Sequence, residues 1–592
     1  MNNITYAVDF ETFYNKTVSI KTLGPRGYFS HPEFDSYLVS VVGSDGYEFV
    51  GHPEKWDWSM LKGCTVLSHN ASFDETLYKF GVEKGWYPAV EYDRWCCTAD
   101  MAAYLGLPRN LAGSSLVALG IKPDKSTRGN MMNKRWENMT DEFQAEVNEY
   151  ALVDSRLCLQ LWQKLADQWP DSEKEISRVN REALQKGIPI DQAALRKNIE
   201  SVKEYLFDAE SAIPWMGEKK TLSRVAFNDE CRKVGIMPPP SLAQDNPEAV
   251  KWIAEHGAKY QWVKSVGEWR RINAMLKKLE AIDQATMADG RYYGNIMYWG
   301  GHTGRFSGGG GNLNLQNLPK ADMFGANLRH LIVPKKGKKL IVVDLSQIEV
   351  RTLLWLAGDE ETMQEVRKTD DIYEAFAIMF GMWDPAKGSL KAGDNDLRQI
   401  VKAIVLGSGF MAGPTAFAAK YGYPEEEAEK SISMYRTKMK KIVAFWKKLK
   451  QNIEGSMIVG EDLEEELPSG RSMRYGKLKK VKQIVNGKTK ISNIAILMKH
   501  SKRTPVRIWQ GLVTENLAQA LARDIFADMM VRIEHAGHDI LFHVHDELIL
   551  EVDENKADEV LAEVTEIMSV PPAWIPDIPL SAEGHVMNRY DK

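Results

Sequence analysis

Carboxylates recur along this chain at spacings that place them side by side. Asp9 and Glu11 stand at i and i+2 in AVDFET, so on a strand both point to one face. Two carboxylates on one face repel each other. They are tolerated at the surface or, inside, around a divalent cation. Alone, such a pair reads more readily as a solvated strand end than as a metal site. LSHNASFDETLY adds Asn70 and Asp74, and EYALVDSRL adds Tyr150 and Asp154. The last two share one face if their segment is helical. Asn70 equally suits a turn, and Tyr150 a half-buried helix position. Further on, Asp344 ends the apolar run LIVV, and His545, Asp546 and Glu547 occupy the turn of LFHVHDELILEV. Burying Asp344 and Asp546 among residues this apolar is costly without a cation. In DLRQIVKAIVLGSGF, Arg398, Lys402, Leu406 and Phe410 recur every fourth residue and form one helical stripe. Two cations above an apolar and an aromatic position can hold a triphosphate at one end and a base at the other. The plainer reading is an amphipathic helix whose cations snorkel.

These residues need elements to hold them. Residues 4–10 and 37–42 read as short strands, and the segment from Thr140 carries a long helical period that Pro170 closes. Residues 172–290 read as mainly helical, with Pro238, Pro239 and Pro240 clustered within them. GGHTGRFSGGGGNLNLQNLP is too rich in glycine for a regular helix. LIVVDLS then reads as a buried strand, residues 360–500 as helices with basic interruptions, and LFHVHDELILEV as two short strands about a tight turn. No internal repeat or low-complexity tail occurs.

The chain has 592 residues, enough for about four folding units at roughly 150 residues each. Hydrophobic residues form 44% and charged residues 27%, an ordinary globular balance. The net charge of −5 alone argues against a nucleic-acid partner. Local patches set the field that a phosphate backbone meets, however. Basic runs occur at Lys264–Lys278, Arg436–Lys450 and Arg471–Lys482. Each alone reads as a solvated helix face; three together tilt the balance towards a polyanion. The five cysteines form no CxxC spacing, which suits reduced thiols in the cytoplasm, that of a host cell if the source is viral. No signal peptide opens the chain and no run of about 18 apolar residues suggests a membrane span.

Taken in order, Asp9-x-Glu11, Asn70-x-x-x-Asp74 and Tyr150-x-x-x-Asp154 resemble the DEDD-type 3′→5′ exonucleases, in the variant whose last motif carries Tyr. The resemblance covers about the first 165 residues. It implies an RNase H-like domain in which Asp9, Glu11, Asp74 and Asp154 bind metal and Tyr150 orients the attacking water. DLSQIEVR, RQIVKAIVLGSGF and HVHDEL look like the three polymerase motifs of family A DNA polymerases, in family order. TGRFSGGGGNLNLQNLP resembles the family segment that opens the palm, and WQGLVTENLAQALARD the helix before the last motif in its phage form. By this resemblance Asp344 and Asp546 bind metal, with Glu547 as the accessory acid. Glu349 is the gate against a ribose 2′-OH. Arg398 and Lys402 take the triphosphate. Arg305, Gln519 and His545 lie near the primer terminus.

Four positions depart from the family pattern. Leu406 stands where Phe or Tyr is common, Phe410 where Tyr is usual, Leu345 where Tyr follows the first aspartate, and Tyr373 where many relatives have His. Tyr373 retains one hydroxyl for a phosphate. The implied molecule is a multidomain α/β and α+β enzyme: exonuclease 1–165, linker and thumb 166–290, palm 291–358 and 501–592, fingers 359–500. The implied cofactor is Mg²⁺, two ions per active site, with Mn²⁺ as an alternative. The implied partners are primer-template DNA and dNTPs, with replisome factors as further candidates; the expected state is a monomer. The first exonuclease motif lies so near residue 1 that a preceding 5′-nuclease is not expected, which suits a replicative phage-type enzyme. The competing reading is a stand-alone 3′→5′ exonuclease whose C-terminal half is a DNA-binding scaffold.

Overall fold

The computed structural model describes residues 4–242, 246–309, 314–369, 371–485, 488–499 and 502–592. The Gly-rich stretch 310–313, at the centre of the segment expected to open the palm, lies outside them.

The N-terminal part is built on a five-stranded sheet. Its strands are β1 (Thr5–Glu11), β2 (Leu38–Gly43), β3 (Glu48–Gly51), β4 (Thr65–Ser68) and β5 (Arg94–Cys97). Their spatial order is β3-β2-β1-β4-β5. β1 runs antiparallel to β2 and parallel to β4. A strand at the centre of a covered sheet must be apolar, and Tyr6, Ala7, Val8 and Phe10 are all buried. Helix α1 (Ala71–Glu83) follows β4, and helix α2 (Asp141–Leu165) crosses the sheet. Thr140 caps α2 by accepting from the Phe143 N–H, which confirms the start signal at that residue. Ser40 Oγ on β2 lies 2.7 Å from Ser155 Oγ and donates to Ala151 O, which docks α2 on β2, the neighbour of β1.

Helix α3 (Asp171–Ala183) begins immediately after Pro170. It is followed by α4 (Gln192–Ser211), which packs along α5 (Gln261–Ala285). The mainly helical expectation for this region holds.

The C-terminal part is centred on a four-stranded antiparallel sheet. Strand β6 (Lys338–Leu345) begins it, and helix α6 (Ile348–Ala357) leaves its end. Helices α7 (Ile372–Phe380), α8 (Asn395–Ser408) and α9 (Lys440–Val459) belong to a helical region with its own core of Phe376, Ile404, Phe417, Tyr435 and Trp446.

The helical expectation for residues 360–500 fails from Leu463 onward. There the chain forms a hairpin of β7 (Leu463–Glu466) and β8 (Ser472–Gly476), then a three-stranded antiparallel sheet. The sheet consists of β9 (Lys479–Val485), β10 (Lys488–Lys499) and β11 (Lys502–Ile508). Its sequence is rich in Val and Ile, whose branched side chains favour a pleated surface over a helix. Asn486-Gly487, a hairpin signal, joins the first two strands in sequence and lies outside the described residues.

The long helix α10 (Gln510–His535) then runs through the core, with Leu517, Leu521, Ile525 and Met529 buried. Strands β12 (Ile540–Val544) and β13 (Glu547–Asp553) form the expected pair about a tight turn. Helix α11 (Ala557–Ser569) and strand β14 (Ala582–Met587) complete the region. The sheet order is β12-β13-β6-β14. All five cysteines are buried free thiols. Among the described residues no helix is long and apolar enough to cross a membrane.

Candidate active sites

The first site gathers over β1. Asp9 and Glu11 lie on that strand, and the Phe10 N–H between them donates to Asp74 Oδ1 at 3.1 Å, tying α1 to the strand. Tyr150 and Asp154 come from one face of α2, as their spacing requires. All four carboxylates are brought together. Burial, with the Asp154 charge beside it, pushes Asp9 up to about 7. Burial and the neighbouring acids hold Glu11 and Asp74 well above the usual carboxylate range. Cations partly offset this. Lys125 Nζ lies 2.5 Å and 2.6 Å from the Asp154 oxygens and 3.4 Å from Tyr150 Oη, and it sits over the Tyr150 ring. Arg128 lowers both Asp9 and Glu11. Sequence reasoning missed Lys125 and Arg128, since nothing in GIKPDKSTRG marks a lysine that folds back onto α2.

The second site lies at the end of β6. Asp344 is paired in register with Glu547 of β13 on one side and with Glu583 of β14 on the other. Directly paired residues share a face, so Glu583 is a further carboxylate beside Asp344. The Leu345 N–H donates to Asp546 O at 3.1 Å, which brings the β12–β13 turn alongside. That turn needs a left-handed residue, and His545 takes φ 56°. Gln316 pins the turn from both sides: its amide donates to His543 O at 2.7 Å, and its oxygen accepts the His545 N–H at 2.8 Å. Gln316 was legible only as part of the NLQNLP segment, because its partners lie more than two hundred residues away.

Burial raises Asp546 to about 6 and raises Glu547; Arg305 draws the first back down, and the Tyr590 hydroxyl, which donates to Glu547 Oε1, draws back the second. Lys592 forms an ion pair with Asp344. Burial lowers the Lys592 ammonium to about 8.

The remaining predicted residues surround these acids. Glu349, on the first turn of α6, is ion-paired with Arg305. Gln519 on α10 donates to Glu515 at 3.1 Å, and Glu349 helps raise Glu515. Arg398, Lys402 and Leu406 lie along α8, with Phe410 just past its end. Arg398 is ion-paired with Asp371, and the cations of Arg398 and Lys402 lie 5.3 Å and 6.0 Å from the centre of the Tyr373 ring. Leu406 and Phe410 pack partly buried against the helical core. Tyr373 is only 3% exposed, its ring lies beneath the two cations, and burial moves its hydroxyl up to about 12, which keeps that O–H protonated as a donor. Arg471, counted in a basic run, is also buried. It donates to Asp524 at 2.8 Å and to the carbonyls of Thr303 and Ala520, and so is not available to a phosphate.

A five-stranded mixed sheet with four carboxylates gathered over its central strand from that strand and two helices, followed by a four-stranded antiparallel sheet with acids at the ends of adjacent strands and a cationic helix beside it, fits the right-hand polymerase fold. The family model described as DNA polymerase family A matches residues 240–592, and the chain belongs to that family as a DNA-directed DNA polymerase. A DNA polymerase of Bacillus phage SP02 is 26% identical over 99% of this chain and 100% of its own length. The thermostable DNA polymerase I of Thermus aquaticus is 24% identical over 72% of this chain and 49% of its own length. The chain thus spans about half the length of such bacterial relatives and the whole length of the phage one. Among solved structures, the POL domain of Pol1 from M. smegmatis, in complex with DNA primer-template and dNTP, aligns with a TM-score of 0.70 at 18% identity, covering 100% of this chain and 96% of that one.

Proposed function

We propose that this chain is a phage replicative polymerase that extends a primer 3′-OH at the β6/β13 acids and removes mispaired 3′ ends at the β1/α2 acids. The observation that carries this reading is the presence of two separate carboxylate clusters, each gathered at its own sheet. Both donor sets consist of oxygen alone, which suits Mg²⁺, or Mn²⁺ in its place. Asp344 and Asp546 would hold the ions of the polymerase site, with Glu547 beside them. Asp9, Glu11, Asp74 and Asp154 would hold those of the exonuclease site. Bound in pairs, such ions activate the attacking oxygen and stabilise the leaving one.

The chain's own residues do the rest. Arg398 and Lys402 neutralise the triphosphate, and Leu406 and Phe410 offer the apolar end of the same stripe to the base. Glu349 stands against the 2′ position of the incoming sugar, held by Arg305. Gln519 and His545 face the primer end. Tyr150 orients water in the exonuclease site. The boundaries proposed are exonuclease 1–165, linker and thumb 166–290, fingers 359–500, and palm 291–358 with 501–592. The enzyme acts as a monomer on primer-template DNA in the host cytoplasm, alongside replisome factors.

The test uses a 5′-labelled primer-template with Mg²⁺, with and without the four dNTPs. Asp546→Ala is expected to abolish extension and leave 3′ shortening intact, and Asp9→Ala to do the reverse. Loss of both activities from either change in folded protein would defeat the two-site reading. Shortening without extension at any dNTP concentration in the unmodified enzyme would favour the stand-alone exonuclease.

A further inference from the structure

Between Glu466 and Glu515 the chain contains no Asp or Glu, while Lys and Arg occur twelve times. This segment belongs to a protein whose net charge is −5, so the positive charge is concentrated rather than general. Most of it falls on the sheet β9-β10-β11. The two faces of that sheet differ. Ala495, Leu497 and Ile508 point one way and are buried, although towards the β9 edge the same face carries exposed Lys480 and Lys482. The other face carries Lys479, Val481, Ile494, Ile496, Met498, Arg503 and Arg507, by the alternation of the strands and their register. Lys479, Ile494 and Arg507 form one cross-strand row.

Lys479, Arg503 and Arg507 are exposed, and among the described residues none of them has an acidic partner. Arg503 and Arg507 are four residues apart, so they stand about 13 Å apart along β11, and Lys479 lies two strands away, about 10 Å across the sheet. That spread covers roughly three to four nucleotide steps at about 3.4 Å each. Between Tyr475 and Trp509 there is no Phe, Tyr or Trp. A single-strand platform stacks bases on aromatic rings, and this face has none to offer. Long cations on a flat face suit the regular phosphates of a duplex, gripped without reading sequence.

We propose that the exposed face of the sheet Lys479–Ile508 is a second DNA-binding surface, which holds the backbone of duplex DNA through Lys479, Arg503 and Arg507. The inference rests on the polymerase reading, but it concerns residues outside both carboxylate sites.

The experiment compares the unmodified chain with K479E/R503E/R507E, with the milder K479Q/R503Q/R507Q, and with a charge-matched control, K55E/K62E/K556E. Thermal unfolding verifies that all four are folded. Binding of a fluorescent blunt duplex and of a fluorescent single strand is measured by anisotropy in EDTA over a range of salt. Three lost phosphate contacts are expected to reduce the slope of log K against log salt by about 2–3. At about 0.15 M salt they should weaken duplex binding roughly tenfold or more, with the glutamine variant intermediate and the control unchanged. Single-nucleotide extension at saturating primer-template should stay at the unmodified rate. An unchanged salt slope in both sheet variants would overturn the proposal. So would loss of single-strand binding with duplex binding intact, or an equal loss in the control. Failure of the unmodified chain to extend any primer would sink the polymerase reading instead, and the anisotropy would still report on the sheet.

Discussion

At the residue scale, the decisive feature is that the groups assigned to bind anions and cations are held by stand-in partners. Arg398, assigned to the triphosphate, is bound by Asp371, which also caps α7 by accepting the Tyr373 N–H at 3.1 Å. An incoming triphosphate must compete with that carboxylate. Asp371→Asn keeps the cap acceptor and removes the charge. It is therefore expected to lower the KM for dNTP several-fold with little change in kcat, read by steady-state single-nucleotide incorporation. An unchanged or raised KM would show that Asp371 positions Arg398 rather than restraining it. The carboxylates themselves were legible because their type and spacing are local facts. Gln316, Lys125, Tyr590 and Lys592 were not, because each reaches its site through a long loop of chain. A side chain whose role exists only after folding leaves no mark on its own neighbourhood in the sequence.

At the element scale, local pattern worked where one period dominated. The four-residue stripe of α8, the two-residue alternation of β1 and the apolar run of β6 were all legible. Residues 463–508 were misread because lysines spaced through Val and Ile suit an exposed helix face as well as a strand. Cross-strand pairing, which decides between the two, is not a local property. The elements that position the palm acids depend on a buried network of the same non-local kind. Arg523 on α10 donates to both Glu173 oxygens of α3, at 2.5 Å and 2.9 Å, and lies over the rings of Tyr298, Trp299 and Phe306. Glu173 also accepts from Tyr298, and Asp524 is shared with Arg471 of the β7–β8 turn. Removing one partner leaves a buried charge uncompensated, at a cost of about 3–5 kcal/mol. Glu173→Gln is accordingly expected to lower the urea midpoint clearly, with polymerase activity lost at a lower denaturant concentration. A midpoint within error of the unmodified chain would show that water or rearrangement replaces the pair.

At the scale of the whole molecule, helix α3 joins the two sites. Arg181 binds Glu75 and the Trp95 carbonyl on the side of the β1/α2 acids. Asn180 donates to Ile296 O and lies 2.9 Å from His543 Nε2 on the polymerase side. Arg178 reaches Glu534 at the end of α10. Both ends of this beam carry acids whose protonation is raised by folding, so global stability reports on both sites. The sign follows from Asp9, held at about 7 against an ordinary value of 3.8, and Asp546, held at about 6. A carboxyl raised in the folded state binds protons that the unfolded chain has already released. Its contribution is full below about pH 4 and is lost as pH rises through 6 and 7. Without divalent ions, these groups make the protein less stable at pH 8 than at pH 5.5. Divalent ions favour the ionised acids of the folded state and reverse the trend, stabilising in proportion to the logarithm of their concentration over Kd. Thermal unfolding in EDTA and in millimolar Mg²⁺ at both pH values checks this. The Mg²⁺-induced rise in Tm is expected to be larger at pH 8 than at pH 5.5. It should shrink in Asp9→Asn and Asp546→Asn singly and nearly vanish in the double variant. A Mg²⁺ effect of equal size at both pH values, or one untouched by the two substitutions, would place the ion elsewhere on the molecule.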